Sequence, residues 1–122
     1  PMLDHCDVFW VNLQHGTAVD DIVDDGILRD SDIDPLVDMD GFAAQIAALD
    51  LVVSVSNTTA HVAGALGLPV YIMLPRVKNR HWYWFPERTT NPWYPSLQAF
   101  VQGNDGDWSD VIAAVADTIA TV

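Results

Sequence analysis

The residues best suited to chemistry form one short run, Ser56-Asn57-Thr58-Thr59-Ala60-His61. They follow the apolar stretch Leu51-Val52-Val53-Ser54-Val55 and precede the small-residue stretch Val62-Ala63-Gly64-Ala65-Leu66-Gly67. Hydroxyls and an amide at the start of a helix add side-chain donors to unpaired backbone N–H groups and a partial positive charge, a combination that suits phosphate. The same residue types also cap ordinary helices. On the local pattern alone the plain cap is favoured, and both readings stay open.

The elements that must position these residues can be read around them. Leu51–Val55 is short, apolar and β-branched, as a strand buried on both faces should be. Ser56 or Asn57 is a suitable N-cap for a helix beginning near Thr58. Gly67 fits the position after that helix, and Pro69 forbids its continuation. Val70-Tyr71-Ile72-Met73-Leu74 supplies a second strand. Strand, helix and strand make a right-handed βαβ unit, and in an open parallel sheet ligands bind beyond the carboxyl ends of the strands.

Other candidates lie to either side. Val8–Leu13 predicts a strand ending at Gln14-His15-Gly16; His15 could face a ligand, though a surface turn suits it better. The segment from Arg76 to Asn91 holds Arg76, Lys78, Arg80 and Arg88, four of the chain's five basic residues, among His81, Trp82, Tyr83, Trp84 and Phe85. It reads equally as a packed aromatic layer with cations stacked on it or as a loop closing over an anion. Arg76, following the second strand, is expected to reach the helix start. Pro92-Trp93-Tyr94-Pro95 makes a rigid turn.

Thr17–Asp40 is acidic, with a short helix expected from Thr17 through Val23 and a short strand or loop at Ile33–Val37. Asp30, Asp32 and Asp34 mimic the start of a calcium loop, but Pro35 stands where that loop needs glycine and Gly41 where it needs a bidentate glutamate. Asp38-Met39-Asp40 resembles a sugar-transferase metal motif, yet matches arise by chance in so acidic a stretch, so the segment is read as solvated surface and no metal site is assigned. Gly41–Asp50 predicts a helix presenting Phe42, Ile46 and Leu49. Leu97–Val101 predicts a last strand, and Asn104-Asp105-Gly106 a turn. A final helix starts at Asp107 or Ser109 with Val111, Ile112, Val115, Ile119 and Val122 on its apolar face. The expected architecture is a single α/β domain over 1–122, a Rossmann-like parallel sheet with flanking helices and Leu51–Val55 central.

Composition narrows the partners. Seventeen acidic against five basic residues give a net charge of −12, which disfavours nucleic acid and anionic membranes. The single cysteine, Cys6, excludes an internal disulfide and a multi-cysteine zinc site. No apolar run approaches the roughly 18 residues of a membrane span, no signal peptide is visible, and a reducing, cytoplasmic setting is expected. Pro1 ahead of Met2 suits a fragment or a processed product.

Ala48–Val55 together with Thr59–Pro69 resembles the donor-binding half of GT-B glycosyltransferases. The likeness is greatest to the catalytic region of bacterial tetratricopeptide-repeat proteins, which are related to heptosyltransferases and to O-linked N-acetylglucosamine transferases. Leu13-Gln14, Pro92-Trp93-Tyr94-Pro95 and Gly106-Asp107-Trp108 match further ordered signatures, so the likeness runs from about Phe9 to the C-terminus. It implies a partial C-terminal half of a GT-B fold that takes a nucleoside-diphosphate sugar as substrate, needs no other cofactor, and works with an absent N-terminal half. Ser56, Asn57, Thr58, Thr59 and His61 would hold the donor diphosphate, with Gln14 and Arg76 as further donor-side contacts; no catalytic residue is implied. Ser56-Asn57 replaces the Asp-Thr usual in heptosyltransferase-like members, Asn57-Thr58-Thr59 is similar to the His-Thr-Thr of the N-acetylglucosamine transferases, and His81-Trp82-Tyr83-Trp84 departs from the common Asp-Trp-Arg-Trp. These departures leave a rival reading, a non-catalytic relative serving as a nucleotide-binding or interaction module. A dinucleotide-binding oxidoreductase is disfavoured, because no G-x-G-x-x-G follows a strand.

Overall fold

The computed structural model of the chain describes residues 7–16, 26–77, 81–104 and 106–122. Its elements in order are β1 (Trp10–Val11), β2 (Ile27–Leu28), α1 (Met39–Ala47), β3 (Val52–Ser54), α2 (Thr58–Ala65), β4 (Val70–Leu74), a 3-10 turn at Trp82–Trp84, β5 (Leu97–Val101) and α3 (Ser109–Ile119). All pairings are parallel: β1 with β2 in a two-stranded sheet, and β3-β4-β5 in a three-stranded one. Val70 is level with Val52 on one side and Leu97 on the other, which sets the register of the larger sheet.

Alternation along the strands splits the core in two. Val52, Val70, Ile72, Leu74 and Leu97 face Phe42 and Ile46 of α1, Ala60 and Ala63 of α2, and Trp84. Val53, Tyr71, Met73 and Phe100 turn to the opposite face, against Val111, Val115 and Ile119 of α3. Both faces of the sheet are thus covered, as a parallel sheet requires.

The central βαβ unit forms where its sequence places it. Asn57 is extended and caps α2, its Oδ1 accepting the Ala60 N–H at 3.2 Å. The helix ends in a Schellman motif: the Leu68 N–H donates to the Ala63 carbonyl and the Gly67 N–H to the Gly64 carbonyl, with Gly67 at φ 79°. Asp38 caps α1 by accepting the Gly41 N–H at 2.8 Å. Asp107 accepts from both the backbone and the hydroxyl of Ser109 at the start of α3, bonds that hold its carboxyl below the usual range.

Several expectations need correction. Val70–Leu74, not Leu51–Val55, is the middle strand of the three-stranded sheet, because among the described residues β3 pairs with β4 alone. β1 is confined to two residues and leaves Phe9 88% exposed. β2 was not foreseen, and of the two alternatives at Ile33–Val37, strand or loop, the chain takes the loop. Ile112 and Val122 on α3 and after it are exposed, so the buried stripe is Val111, Val115 and Ile119. The helix expected over 17–23 lies outside the described residues, as do Cys6, Lys78 and Arg80. Asp30, Asp32, Asp34, Asp38 and Asp40 are all exposed, and Asp30 and Asp34 spend carboxylate oxygens on the backbone N–H two residues on. No group of acidic, histidine or cysteine side chains able to hold a metal occurs among the described residues. Among the same residues no helix is long and apolar enough to cross a membrane.

Gly64 sets how closely α2 meets the Tyr94 turn. A Cβ at this position would lie 2.6 Å from Tyr94 Cγ and 2.8 Å from Cδ1. Alanine would gain up to about 1 kcal/mol in helix propensity but force the root of an aromatic ring aside, at about 1–3 kcal/mol. Gly64→Ala is therefore expected to be destabilising in urea titrations, and a gain in stability would show that Tyr94 yields freely.

Candidate functional site

The candidate residues meet at the carboxyl end of β3, where the chain turns into α2. Their side chains divide into two groups by what they touch. Asn57 accepts the Ala60 N–H and also the Ser54 hydroxyl, the latter at 2.9 Å. Its carbonyl oxygen is therefore committed to the cap. Ser56 Oγ accepts the indole N–H of Trp84 at 2.9 Å. His61 shares a hydrogen bond of 2.8 Å between its Nδ1 and the Tyr94 hydroxyl. Its ring stacks on Trp84 at 4.6 Å and meets Tyr83 at 5.3 Å and Tyr94 at 5.7 Å.

Thr58 and Thr59 differ. They are the first two residues of α2, so their backbone N–H groups have no carbonyl one turn back to bond. Neither hydroxyl makes a hydrogen bond among the described residues. Thr58 is exposed and Thr59 half-buried. The first turn carries no acidic side chain. Two backbone N–H groups and two hydroxyls thus lie at the positive end of a helix dipole, an arrangement able to hold an anionic oxygen.

The aromatic segment is packed directly against this junction. Trp84 is 1% exposed and belongs to the main core. Asn91, 4% exposed, fastens the segment. Its Nδ2 donates to the Tyr83 and Trp84 carbonyls, and its Oδ1 accepts the Trp93 and Tyr94 N–H groups. One side chain thereby ties the 3-10 turn to the turn that carries Tyr94. Phe85, just after the 3-10 turn, adopts a left-handed conformation at φ 43°, with the Arg88 guanidinium 4.9 Å above its ring. His81 stacks on Tyr83 at 4.9 Å, while Trp82 stays largely exposed.

The remaining candidates stand apart. Arg76 follows β4, and its hydrogen bonds lead past the end of β5: its N–H donates to Gln102 Oε1 at 3.2 Å and its guanidinium to the Gly103 carbonyl. Those bonds draw the side chain toward β5, on the side of β4 away from β3. Gln14 is exposed beyond β1, in a turn where its N–H donates to Asn12 Oδ1. His15 is exposed in the same turn. Sequence reasoning missed Asn91 and the Trp84–Ser56 and Tyr94–His61 contacts. Asn91-Pro92 is a turn signal, but nothing local announces partners across 28 and 33 positions.

What these features define is an α/β unit of parallel strands in two small sheets, with a polar strand-to-helix junction roofed by aromatics. Protein FlbA of Caulobacter vibrioides is similar to this chain, 32% identical over 130 residues. The match covers 98% of the chain and 20% of FlbA, so the chain spans about a fifth of that relative's length. No family model and no solved structure matches the chain.

The Asn91 hub makes a testable demand. Asn91→Ala removes the partner of two carbonyls and two N–H groups, one of these bonds buried and three partly buried, a loss of about 2 kcal/mol. Asn91→Asp turns a carboxylate oxygen toward the two carbonyls that now accept an N–H. Burial and those dipoles raise its pKa, so its destabilisation is expected to shrink as pH falls and the acid protonates. Denaturant midpoints across pH check this; a pH-independent Asp variant would mean that the side chain is not held against the carbonyls.

Proposed function

We infer that this chain is the donor-binding part of a GT-B-type glycosyltransferase, moving a sugar from a nucleoside-diphosphate donor to an acceptor held by a companion Rossmann-like half, in the cytoplasm. The observation that carries the reading is the pair Thr58 and Thr59, whose backbone N–H groups and hydroxyls are uncommitted among the described residues, at the carboxyl end of β3. The family likeness of the same residues supports it. The parallel sheet and helix cover are compatible with a Rossmann-like half.

The chemistry asked of the site is limited and suits its residues. As a glycosidic bond to a nucleoside diphosphate breaks, negative charge grows on the leaving phosphate oxygen. Fixed N–H and O–H donors at a helix start stabilise that charge more than they stabilise the intact donor, which lowers the barrier. The base that would take the acceptor's proton belongs to no residue assigned here.

A second reading has an observation of its own. Ser56 and His61 are held by Trp84 and Tyr94 and serve as packing partners, as a non-catalytic nucleotide-binding or interaction module would tolerate. The two readings part on transfer, since both allow binding and only the first turns over a donor.

Each hydrogen bond to a charged oxygen is worth about 1.5–3 kcal/mol. Thr58→Val and Thr59→Val remove one hydroxyl each at nearly constant volume. In the polypeptide that carries these residues with its companion half, nucleoside-diphosphate affinity by calorimetry should fall about 10–150-fold for either variant. Exposed Ala65, at the other end of α2, is the control: Ala65→Ser should change little. Unchanged affinity in both threonine variants would reduce the motif to a helix cap and end the donor-site reading. Binding lost in the variants without any measurable transfer by the wild type would favour the module.

A further inference from the structure

The imidazole of His61 is held at one nitrogen and open at the other. It stacks on Trp84 with ring centroids 4.6 Å apart and planes 28° from parallel, and Tyr83 and Tyr94 close on it at 5.3 and 5.7 Å. Its Nδ1 lies 2.8 Å from the Tyr94 hydroxyl. Tyr94 is itself fixed: its N–H donates to Asn91 Oδ1 at 3.0 Å, and its ring lies against Gly64. His61 Nε2 makes no hydrogen bond among the described residues. It is not buried either, because the Trp10 indole N–H is the one buried side-chain polar atom left unpaired there.

Which nitrogen carries the proton follows from the chemistry of the pair. A neutral imidazole has one N–H and one bare nitrogen, and the hydrogen bond at one ring nitrogen sets the state of the other. Two arrangements suit the distance: the phenol O–H donates to Nδ1, or Nδ1–H donates to the phenol oxygen. The first joins a phenol, with a pKa of about 10 in model peptides, to an imidazole nitrogen that takes a proton at about 6.5. The second joins an imidazole N–H, a far weaker acid, to a phenol oxygen, a far weaker base. The better acid on the better base makes the stronger bond. Nδ1 therefore accepts, and Nε2 holds the proton of the neutral ring.

Helix geometry says where that proton lies. Side chains on a helix lean toward its N-terminus, so His61, the fourth residue of α2, covers the turn that begins at Thr58. Trp84, on which the imidazole stacks, donates its indole N–H to Ser56, the residue ahead of the cap. The open nitrogen is thus at the same end of α2 as the unpaired donors of Thr58 and Thr59.

We propose that Tyr94 is a positioning residue: its hydroxyl, donating to Nδ1, keeps His61 as the neutral Nε2–H tautomer, which borders the helix start as a fixed donor to a phosphate oxygen and not as a base. With the Nδ1 lone pair engaged and Nε2 protonated, the ring has no free nitrogen to take a proton. An acceptor's proton accordingly goes to another group. The use made of Nε2–H rests on the donor-site reading, whereas the tautomer and the role of Tyr94 in setting it do not.

Nitrogen NMR of the imidazole in the full-length polypeptide, at about pH 8 where histidine is ordinarily neutral, tests the assignment. Nε2 is expected to be protonated, and the Nδ1 signal to be displaced from that of a bare nitrogen by the hydrogen bond it accepts. Tyr94→Phe keeps the ring and drops the hydroxyl, so the displacement should vanish and the second tautomer appear. A protonated Nδ1 in the wild type would overturn the proposal, with no variant needed. So would His61 signals that the phenylalanine variant leaves unchanged. Inorganic pyrophosphate, the part common to nucleoside diphosphates, probes the use of the proton. It should shift Nε2–H together with the Thr58 and Thr59 amides, and bind about 2–10-fold more weakly to the Tyr94→Phe variant. Shifts at the threonine amides with none at Nε2–H would remove His61 from the site and leave the donor-site reading standing. No shift at any of the three would end that reading, and the use of His61 with it.

Discussion

Parallel pairing of β3, β4 and β5 is the constraint from which most of the structure follows. Strands that run the same way need a long return over one face, and both faces must be roofed. The return from β3 to β4 uses α2. The return from β4 to β5 has no α-helix among its described residues, only the 3-10 turn at Trp82–Trp84. Trp84 stands in for a helix by filling the core itself. A large aromatic can do so only if its indole N–H finds a partner and its loop is fixed. Ser56 supplies the first and Asn91 the second. Closing the core and shaping the strand-to-helix junction are therefore one act of packing.

That dual role divides the polar run that opens α2. Residues turned toward the roof, Ser56 and His61, are committed to it. Residues at the exposed start of the helix, Thr58 and Thr59, keep their donors. The division follows helix geometry, because residues at N1 and N2 have orphan N–H groups whatever their side chains. The site is then narrower than the motif: a helix start with two hydroxyls, bordered by an aromatic wall that holds His61 by stacking and by a hydrogen bond.

What was legible in the sequence was what depends on neighbours along the chain. Asn57 as a cap, Gly67 as a terminator, the apolar run of β4 and the Phe42–Ile46 spacing of α1 all state their structure locally. The parallel α/β class follows from their alternation. β2 was not legible, since two residues with one exposed leucine carry no period. The flanking place of β3 was missed because strand order is set by crossover direction and not by hydrophobicity. Val122 continued the apolar repeat of α3 on paper, yet the helix ends at Ile119 and leaves it in solvent. Asn91 could be read as a turn former, but its four hydrogen bonds depend on segments that only folding brings together.

The exposed aspartates between Asp30 and Asp40 act at a distance as well as locally. With a net charge of −12, the molecule presents a repulsive field to any approaching anion, whereas the donors at the start of α2 act only on contact. The two ranges respond differently to salt. The Debye length shrinks from about 10 Å at 0.1 M to about 3 Å at 1 M ionic strength, which shields the aspartates from an anion still in solution. Hydrogen bonds made at 3 Å are shielded far less. For this chain, encounter with an anion should quicken as salt is added, the reverse of the behaviour of a protein that draws its anions in with a basic surface.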